Sequence, residues 1–296
     1  MSFGTRVEVL LAQAGLEPGE LRRLISVALE EDLRYGRDVT SEATIEAGAE
    51  AAGDVVAREA GVLCGAPVAL AVLETVGFPL NGVDLAVRDG ERVEPGTVVV
   101  NCVGPLRLML LAERTMLNFM THLSGIATCT AAWADILAGT GCRVRDTRKT
   151  TPGLRQLEKY AVRCGGGVNH RLGLGDGALI KDNHVAGAGG VGAAVRALRS
   201  RASGVELEVE CDTLDQVREA LDAGARLILL DNMDLESLRA AVALGRGEGV
   251  CFEASGSMTL ERARAVAETG VSYIAVGALT HSSPALDLAL DVRDRT

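Results

Sequence analysis

The spacing of apolar positions changes near Gly141. Before it, helical and strand-like stretches alternate without a repeat. Over 18–32, Leu21, Leu24, Ile25, Ala28 and Leu29 recur at helical spacing and predict an amphipathic helix. Residues 53–58 read as a strand. Residues 67–77 read as a short helix opened by Pro67. The segments 83–88 and 97–103 read as strands around the turn Glu94-Pro95-Gly96. From 106 to 137 the pattern is helical, with an expected break near Ser124-Gly125.

After Gly141, short apolar runs each end in a polar or small residue and are followed by helical stretches. The run ends fall at Asp146, Lys181, Glu210, Asp231, Ser255-Gly256 and Gly277. From Lys181 onward they recur at intervals of 29, 21, 24 and 22 residues. That period fits strand, loop, helix, loop, and so a parallel sheet or barrel with its functional groups at the C-terminal strand ends. About 160 residues are available, against the ~250 of an eight-stranded barrel, so an irregular, incomplete α/β barrel is expected. An open doubly wound sheet is the alternative, but no G-x-G-x-x-G follows a strand.

Charge adds a second layer to this picture. The chain carries 40 acidic and 30 basic residues, a net charge of −10. The only lysines are Lys149, Lys159 and Lys181; the window 145–184 holds eight Lys/Arg against four Asp/Glu, a +4 island. A basic island in an acidic chain points to a local anionic ligand, not to a surface that coats nucleic acid. Basic residues are not interleaved with aromatic ones, which also disfavours nucleic-acid binding. Hydrophobic residues make up 48% and charged residues 24%, which excludes a disordered chain. No apolar run reaches the roughly 18–20 residues of a membrane helix, and the N-terminus does not read as a signal peptide. Seven scattered cysteines with no C-x-x-C read as reduced thiols of a cytoplasmic protein and exclude a zinc site of ordinary spacing.

Within the island, Arg148 and Lys149 follow a strand at once, flanked by Thr147 and a Pro-Gly turn. Arginine offers a fork that suits carboxylates, and lysine a compact charge that suits phosphate oxygens. Six glycines lie between 165 and 177 around Asn169, His170 and Arg171, which reads as backbone approaching a ligand or as a loose surface loop. Lys181 suits a phosphate contact, a Schiff base, or an ion pair with a neighbouring strand-end acid. Glu210 and Asp231 suit sugar hydroxyls or Mg²⁺. Ser255-Gly256-Ser257 and Val276-Gly277-Ala278 leave backbone donors for a phosphate. His122 and His281 have no visible constellation and read as structural. Residue chemistry alone reaches an enzyme acting on a phosphorylated sugar and an acid.

Asp146-Thr-Arg-Lys-Thr-Thr-Pro-Gly, Gly-Gly-Gly-Val-Asn-His-Arg-Leu-Gly-Leu and Leu179-Ile-Lys-Asp-Asn-His closely resemble the quinolinate phosphoribosyltransferase family. The likeness extends upstream to Glu113-Arg-Thr-Met-Leu-Asn and downstream to Leu230-Asp-Asn-Met and Val276-Gly-Ala-Leu-Thr-His-Ser. The resemblance implies conversion of quinolinate and 5-phosphoribosyl-1-pyrophosphate to nicotinate mononucleotide, pyrophosphate and CO₂, with Mg²⁺. It implies an N-terminal α/β sandwich over 1–116, an irregular α/β barrel over 117–278, and a tail over 279–296 returning to the first domain. It also implies a homodimer with shared active sites, or a hexamer of dimers.

By motif position, the resemblance makes Arg114 the arginine lent across the dimer to quinolinate, with Arg148, His170 and Arg171 around its carboxylates. Lys149 and Lys181 would neutralise phosphate and pyrophosphate. Glu210 and Asp231 would hold the ribose hydroxyls and the Mg²⁺ shell. Ser255, Gly256, Ser257, Val276, Gly277 and Ala278 would bind the 5-phosphate through backbone groups. One departure stands out: the family commonly has glycine where this chain has Ser257. If position 257 needs φ > 0, serine there costs about 1 kcal/mol or more. If it offers only an N–H, serine is harmless. Lys159 is expected in a supporting or solvent-facing role. The alternatives are a relative that accepts nicotinate or another ring acid, a lysine Schiff-base aldolase, and a non-catalytic phosphate-binding barrel.

Overall fold

The computed structural model describes residues 2–202 and 204–294. The chain divides into two compact units: residues 1–129, 151–166 and 282–296, and residues 130–150 and 167–281. These bounds differ from the 1–116, 117–278 and 279–296 expected from sequence, because 117–129 and 151–166 group with the first unit.

In chain order the elements of the first unit begin with α1 (Thr5–Ala14), α2 (Pro18–Leu33), α3 (Val39–Thr44), β1 (Glu50–Ala57), β2 (Gly61–Val62) and α4 (Ala66–Thr75). They continue with β3 (Val83–Leu85), β4 (Arg92–Val93), β5 (Val98–Pro105) and α5 (Leu106–Leu137), whose last residues lie in the second unit. The antiparallel sheet runs β12-β1-β5-β3, where β12 is Leu288–Asp294. Helix α4 is apolar all round, so it must be surrounded to be stable. Every residue from Ala66 to Leu73 is buried, and α1 and α2 pack on it. Its first N–H groups are met by Asp89, whose Oδ2 accepts from Gly65 N at 2.8 Å and Oδ1 from Ala66 N at 3.0 Å. In α2 the periodicity holds: Leu21, Ile25 and Leu29 are buried.

The break expected near Ser124-Gly125 is absent, and α5 runs unbroken. The glycine serves packing instead. A Cβ on Gly125 would lie 2.0 Å from Pro284 O. Ser124 Oγ donates to Cys64 O at 3.0 Å and accepts from Cys64 N at 2.9 Å. Two small residues thus make a seat for neighbouring backbone, which a helical glycine permits at modest cost. The last element of this unit before the tail is α6 (Arg155–Cys164). Lys159 on it is fully buried, not solvent-facing. His122 is an anchored histidine, as expected: its Nε2 lies 3.0 Å from the buried Glu158, which also accepts from Thr151 N.

The second unit holds β6 (Arg143–Arg145), β7 (Ala178–Ile180), α7 (Asp182–Ala188), α8 (Val191–Arg201), β8 (Leu207–Cys211) and α9 (Leu214–Asp222). It continues through β9 (Leu227–Asp231), α10 (Leu235–Leu244), β10 (Cys251–Ser255), α11 (Leu260–Ala267), β11 (Tyr273–Ala275) and α12 (Ala278–His281). The parallel sheet runs β6-β11-β10-β9-β8-β7. Consecutive strands from β7 to β11 are neighbours joined by helical crossovers, the winding of a barrel wall. Among the described residues β6 and β7 are not paired. Val168 bridges to Arg145 instead, with its N donating to Val144 O at 2.9 Å. Six strands and one bridging residue make the irregular, incomplete α/β barrel that the short sequence implied. Among the described residues no helix is long and apolar enough to cross a membrane.

Candidate active site

Residues at alternate strand positions point to the same side of a sheet, so the last inward residue of each barrel strand meets its neighbours at one mouth. Leu179 and Lys181, Leu229 and Asp231, and Glu253 and Ser255 obey this spacing and line one cavity of about 380 Å³. The same cavity is lined by Thr147, Arg148, Lys149, His170, Arg171 and Glu210. Nine sequence-derived candidates are therefore brought together. Arg114 lies on the exposed face of α5 in the first unit.

The guanidinium groups of Arg148 and Arg171 dominate the electrostatics. Each has a buried Nε with no hydrogen-bond partner among the described residues. Arg171 Nη1 donates to Gly177 O at 2.9 Å. Burial first, and the charge of Arg148 second, lower the Arg171 pKa. A buried donor left unmet costs about 1–3 kcal/mol, more when charged. Two such donors beside one cavity make a place for a bound anion. The glycine-rich segment carrying Arg171 is not slack: Asp176 accepts from Leu172 N at 2.5 Å and Gly173 N at 2.7 Å.

Lys181 Nζ lies 2.6 Å from Glu210 Oε2, the strand-end ion pair that was one reading of this lysine. Its backbone N donates to His184 Nδ1 at 3.0 Å, so His184 secures the start of α7. Asp231 Oδ2 accepts from Asn232 Nδ2 at 2.6 Å. Thr147 Oγ1 accepts from Lys149 N at 3.0 Å, which fixes the turn that carries both cations.

The loops after β9 and β10 interlock. Asn232 has φ 53°, the one positive φ of a non-glycine residue among those described. Its N donates to Ser255 O at 3.0 Å. A Cβ on Gly256, at φ 118°, would lie 2.3 Å from Asn232 Oδ1, so only glycine fits. Ser257 does not adopt a positive φ. The serine therefore carries no backbone strain. The N–H of Val276 is taken by Arg145 O at 2.9 Å, which removes it from the proposed set of phosphate donors. Gly277 lets the Lys149 stem approach, since a Cβ there would be 3.1 Å from Lys149 Cδ. It would also be 3.3 Å from His281 Nε2, which places His281 beside this turn.

His170 and Glu253 in the cavity wall join Arg145, Asp146 and Glu208 in a polar layer whose connections the sequence reading did not reach. Arg145 Nη1 is 2.7 Å from Glu253 Oε2 and 3.6 Å from Glu208 Oε1. Glu208 Oε2 is 2.8 Å from His170 Nε2. Asp146, fully buried, accepts from His170 N at 2.7 Å and Asn169 Nδ2 at 2.6 Å. Burial first, and the Glu208 charge second, push the Glu253 carboxyl up to about 8 against the pull of Arg145. A signal was present in the sequence: Glu208 sits two residues before Glu210, and Glu253 two before Ser255, on the same inward register.

Two groups of donors are close enough to surround an ion: His170, Glu208 and Glu253, and in the first unit Cys64, Asp89 and Cys164. In the former the Arg145 guanidinium already supplies the cation. In the latter Asp89 is occupied by Gly65 N, Ala66 N and Tyr160 OH. Glu210 and Asp231 line the cavity and are hard oxygen donors of the type that holds Mg²⁺, with Glu210 paired to Lys181 in this state.

Comparison with known proteins agrees with this layout. Residues 38–124 match the model of the quinolinate phosphoribosyl transferase N-terminal domain, and residues 126–291 that of the C-terminal domain. The chain belongs to the quinolinate phosphoribosyltransferase family. A member from Mycobacterium leprae, nicotinate-nucleotide pyrophosphorylase [carboxylating], is 52% identical over 92% of this chain and 96% of its own. The tobacco quinolinate phosphoribosyltransferase [decarboxylating] 2b, mitochondrial, is 40% identical over 97% of this chain and 87% of its own. The solved nicotinate-nucleotide pyrophosphorylase of Francisella tularensis superposes with a TM-score of 0.87 at 37% identity, covering 93% of this chain and 96% of its own. Matches of this length place both the sandwich and the barrel of this chain within the family fold.

Proposed function

We propose that this chain transfers the phosphoribosyl group of 5-phosphoribosyl-1-pyrophosphate to quinolinate with loss of CO₂, giving nicotinate mononucleotide and pyrophosphate for NAD biosynthesis. The observation that carries the reading is the pair of buried, unpartnered guanidinium Nε atoms of Arg148 and Arg171 at one cavity. Two fixed cations suit an acid with two carboxylates better than one with a single carboxylate. That favours quinolinate over nicotinate.

Lys149 and Lys181, which line the same cavity, would neutralise the phosphates. Binding of pyrophosphate would draw Lys181 from Glu210 and free that carboxylate for the ribose hydroxyls or a cation. Glu210 and Asp231 would hold Mg²⁺, which when bound supplies charge stabilisation for the leaving pyrophosphate. Gly256, Ser257, Gly277 and Ala278 would offer backbone around the 5-phosphate, with Ser255 lining the cavity at the strand end. As pyrophosphate departs, C1 of the ribose becomes cationic and the pyridine nitrogen attacks it. The ring nitrogen then carries the ribose and a positive charge. The adjacent carboxylate leaves as CO₂, its electron pair passing to the ring carbon, which takes up a proton. No protein nucleophile is needed. Arg114, exposed on α5, would complete the quinolinate site of a second subunit in a homodimer, or in a hexamer of dimers. Seven cysteines without a disulfide among the described residues support a reducing compartment, the cytoplasm.

The test is one assay of quinolinate with phosphoribosyl pyrophosphate and Mg²⁺, following CO₂ and mononucleotide. Stoichiometric formation of both is expected. Turnover with nicotinate and none with quinolinate would overturn the reading.

A further inference from the structure

We infer that His170 is a positioning residue and not a ligand of quinolinate, and that Glu208, acting through it, sets the backbone from which Arg171 reaches the substrate. The inference rests on the quinolinate reading above. Position in the motif would put the imidazole against a substrate carboxylate. Its hydrogen bonds say otherwise. Nδ1 accepts from Arg171 N at 2.7 Å, so it carries no proton. The ring proton is then on Nε2, which faces Glu208 Oε2 at 2.8 Å. A neutral imidazole has one donor and one acceptor, and both are consumed inside the protein.

His170 is also held from a second side. Asp146 takes His170 N and Asn169 Nδ2, as described above. Glu208 is itself steadied by Arg145, 3.6 Å away, and Arg145 by Glu253 at 2.7 Å. The chain Glu253–Arg145–Glu208–His170–Arg171 therefore runs from the barrel interior to the cationic rim. All of its members but Arg171 are buried. For His170 to donate from Nδ1 to a substrate, it would have to release Arg171 N. That would loosen the very arginine the substrate needs. A packed, hydrogen-bonded support of this kind holds a binding group in place, and its loss is felt in affinity for what that group binds.

Two variants and one spectrum test this. Glu208→Ala removes the acceptor of a charge-assisted hydrogen bond and should raise the KM for quinolinate about tenfold or more. The KM for phosphoribosyl pyrophosphate should change less than about twofold, because Lys149, Lys181 and the glycine loops are not on this chain of contacts. Glu208→Gln keeps an acceptor oxygen and should restore the quinolinate KM to within about threefold of wild type. Equal rises for both substrates, or no rescue by glutamine, would overturn the inference. Should Glu208→Ala not fold, the spectrum decides. The chain has four histidines, so a long-range proton–nitrogen spectrum of ¹⁵N-histidine protein is readily assigned with His170→Asn. His170 should appear as the Nε2–H tautomer with and without quinolinate. An Nδ1–H tautomer, or protonation of Nδ1 on adding quinolinate, would overturn it. If wild-type protein makes no mononucleotide from quinolinate, the functional reading fails, while the tautomer still reports on the placement of His170.

Discussion

Replacing Glu253 by glutamine should flatten the pH dependence of stability. Glu253 is fully buried, its Oε2 accepts from Arg145, and its Oε1 has no hydrogen-bond partner among the described residues. Its neighbour Glu208 also has an unmet oxygen, Oε1. The carboxyl is pushed from 4.5 up to about 8, chiefly by burial and then by the Glu208 charge. Asp146 adds to the push and Arg145 opposes it. Between these two values the folded chain holds a proton that the unfolded chain has released. Stability therefore falls as pH rises through the window, by about 1.4 kcal/mol per unit. From pH 5 to pH 8 the loss is on the order of 3 kcal/mol. Glutamine cannot ionise, yet it keeps an oxygen for Arg145 and offers an N–H toward Glu208. Glu253→Gln should thus match wild type near pH 5 and exceed it increasingly toward pH 8. At roughly 2–4 °C per kcal/mol for a chain of this size, the difference in Tm should grow by about 6–12 °C over that range. Circular dichroism melts of both proteins in matched buffers give the comparison, since titrations common to both cancel. A Tm difference that stays constant from pH 5 to pH 8 would refute a proton held on Glu253.

Arg171→Lys keeps the charge but loses the planar fork, so the KM for quinolinate should rise about tenfold to a hundredfold, with a smaller change for phosphoribosyl pyrophosphate; steady-state kinetics with each substrate varied in turn decides. Gly256→Ala puts a Cβ 2.3 Å from Asn232 Oδ1 at φ 118°, and should cost about 1–3 kcal/mol in denaturant titrations and weaken phosphoribosyl pyrophosphate far more than quinolinate. Mixing inactive Arg114→Ala with inactive Lys181→Ala should restore about a quarter of wild-type activity if sites are shared across a dimer, since half the dimers then hold one intact site; no recovery after subunit exchange would place each site within one subunit.

Much of the barrel was legible because its signal is local. Each strand is a short apolar run ending in a polar group, and the interval between run ends matches one strand and one helix. The strand-end residues Lys181, Glu210, Asp231 and Ser255 could be placed at one mouth from that interval alone, and all four line the cavity. The continuity of α5 was not legible. Ser124 and Gly125 carry the local mark of a break, and what overrides it is distant in sequence: the backbone at 284–285 that needs the space and the Cys64 amide and carbonyl that use the hydroxyl. Lys159, expected in a supporting or solvent-facing role, is fully buried, which leaves the supporting one. A burial pattern read from apolar spacing cannot mark a charged residue that the core encloses.

The polar layer at the cavity wall shows why an inward charge is not simply a ligand. A site for a dianion needs cations at its rim, but bare carboxylates close below them would repel the substrate and compete for the same guanidinium groups. Glu208 and Glu253 avoid this in two ways. Arg145 pairs with both, 2.7 Å from Glu253 and 3.6 Å from Glu208. Burial and the Glu208 charge in addition raise the Glu253 carboxyl to about 8, which favours its neutral form. The Arg145 guanidinium offsets part of the negative charge of this layer, while the Nε donors of Arg148 and Arg171 remain without a partner among the described residues. The charge that matters for binding is thereby confined to the rim. The buried acids act on the substrate through the orientation of His170 and Arg171, not through their own field.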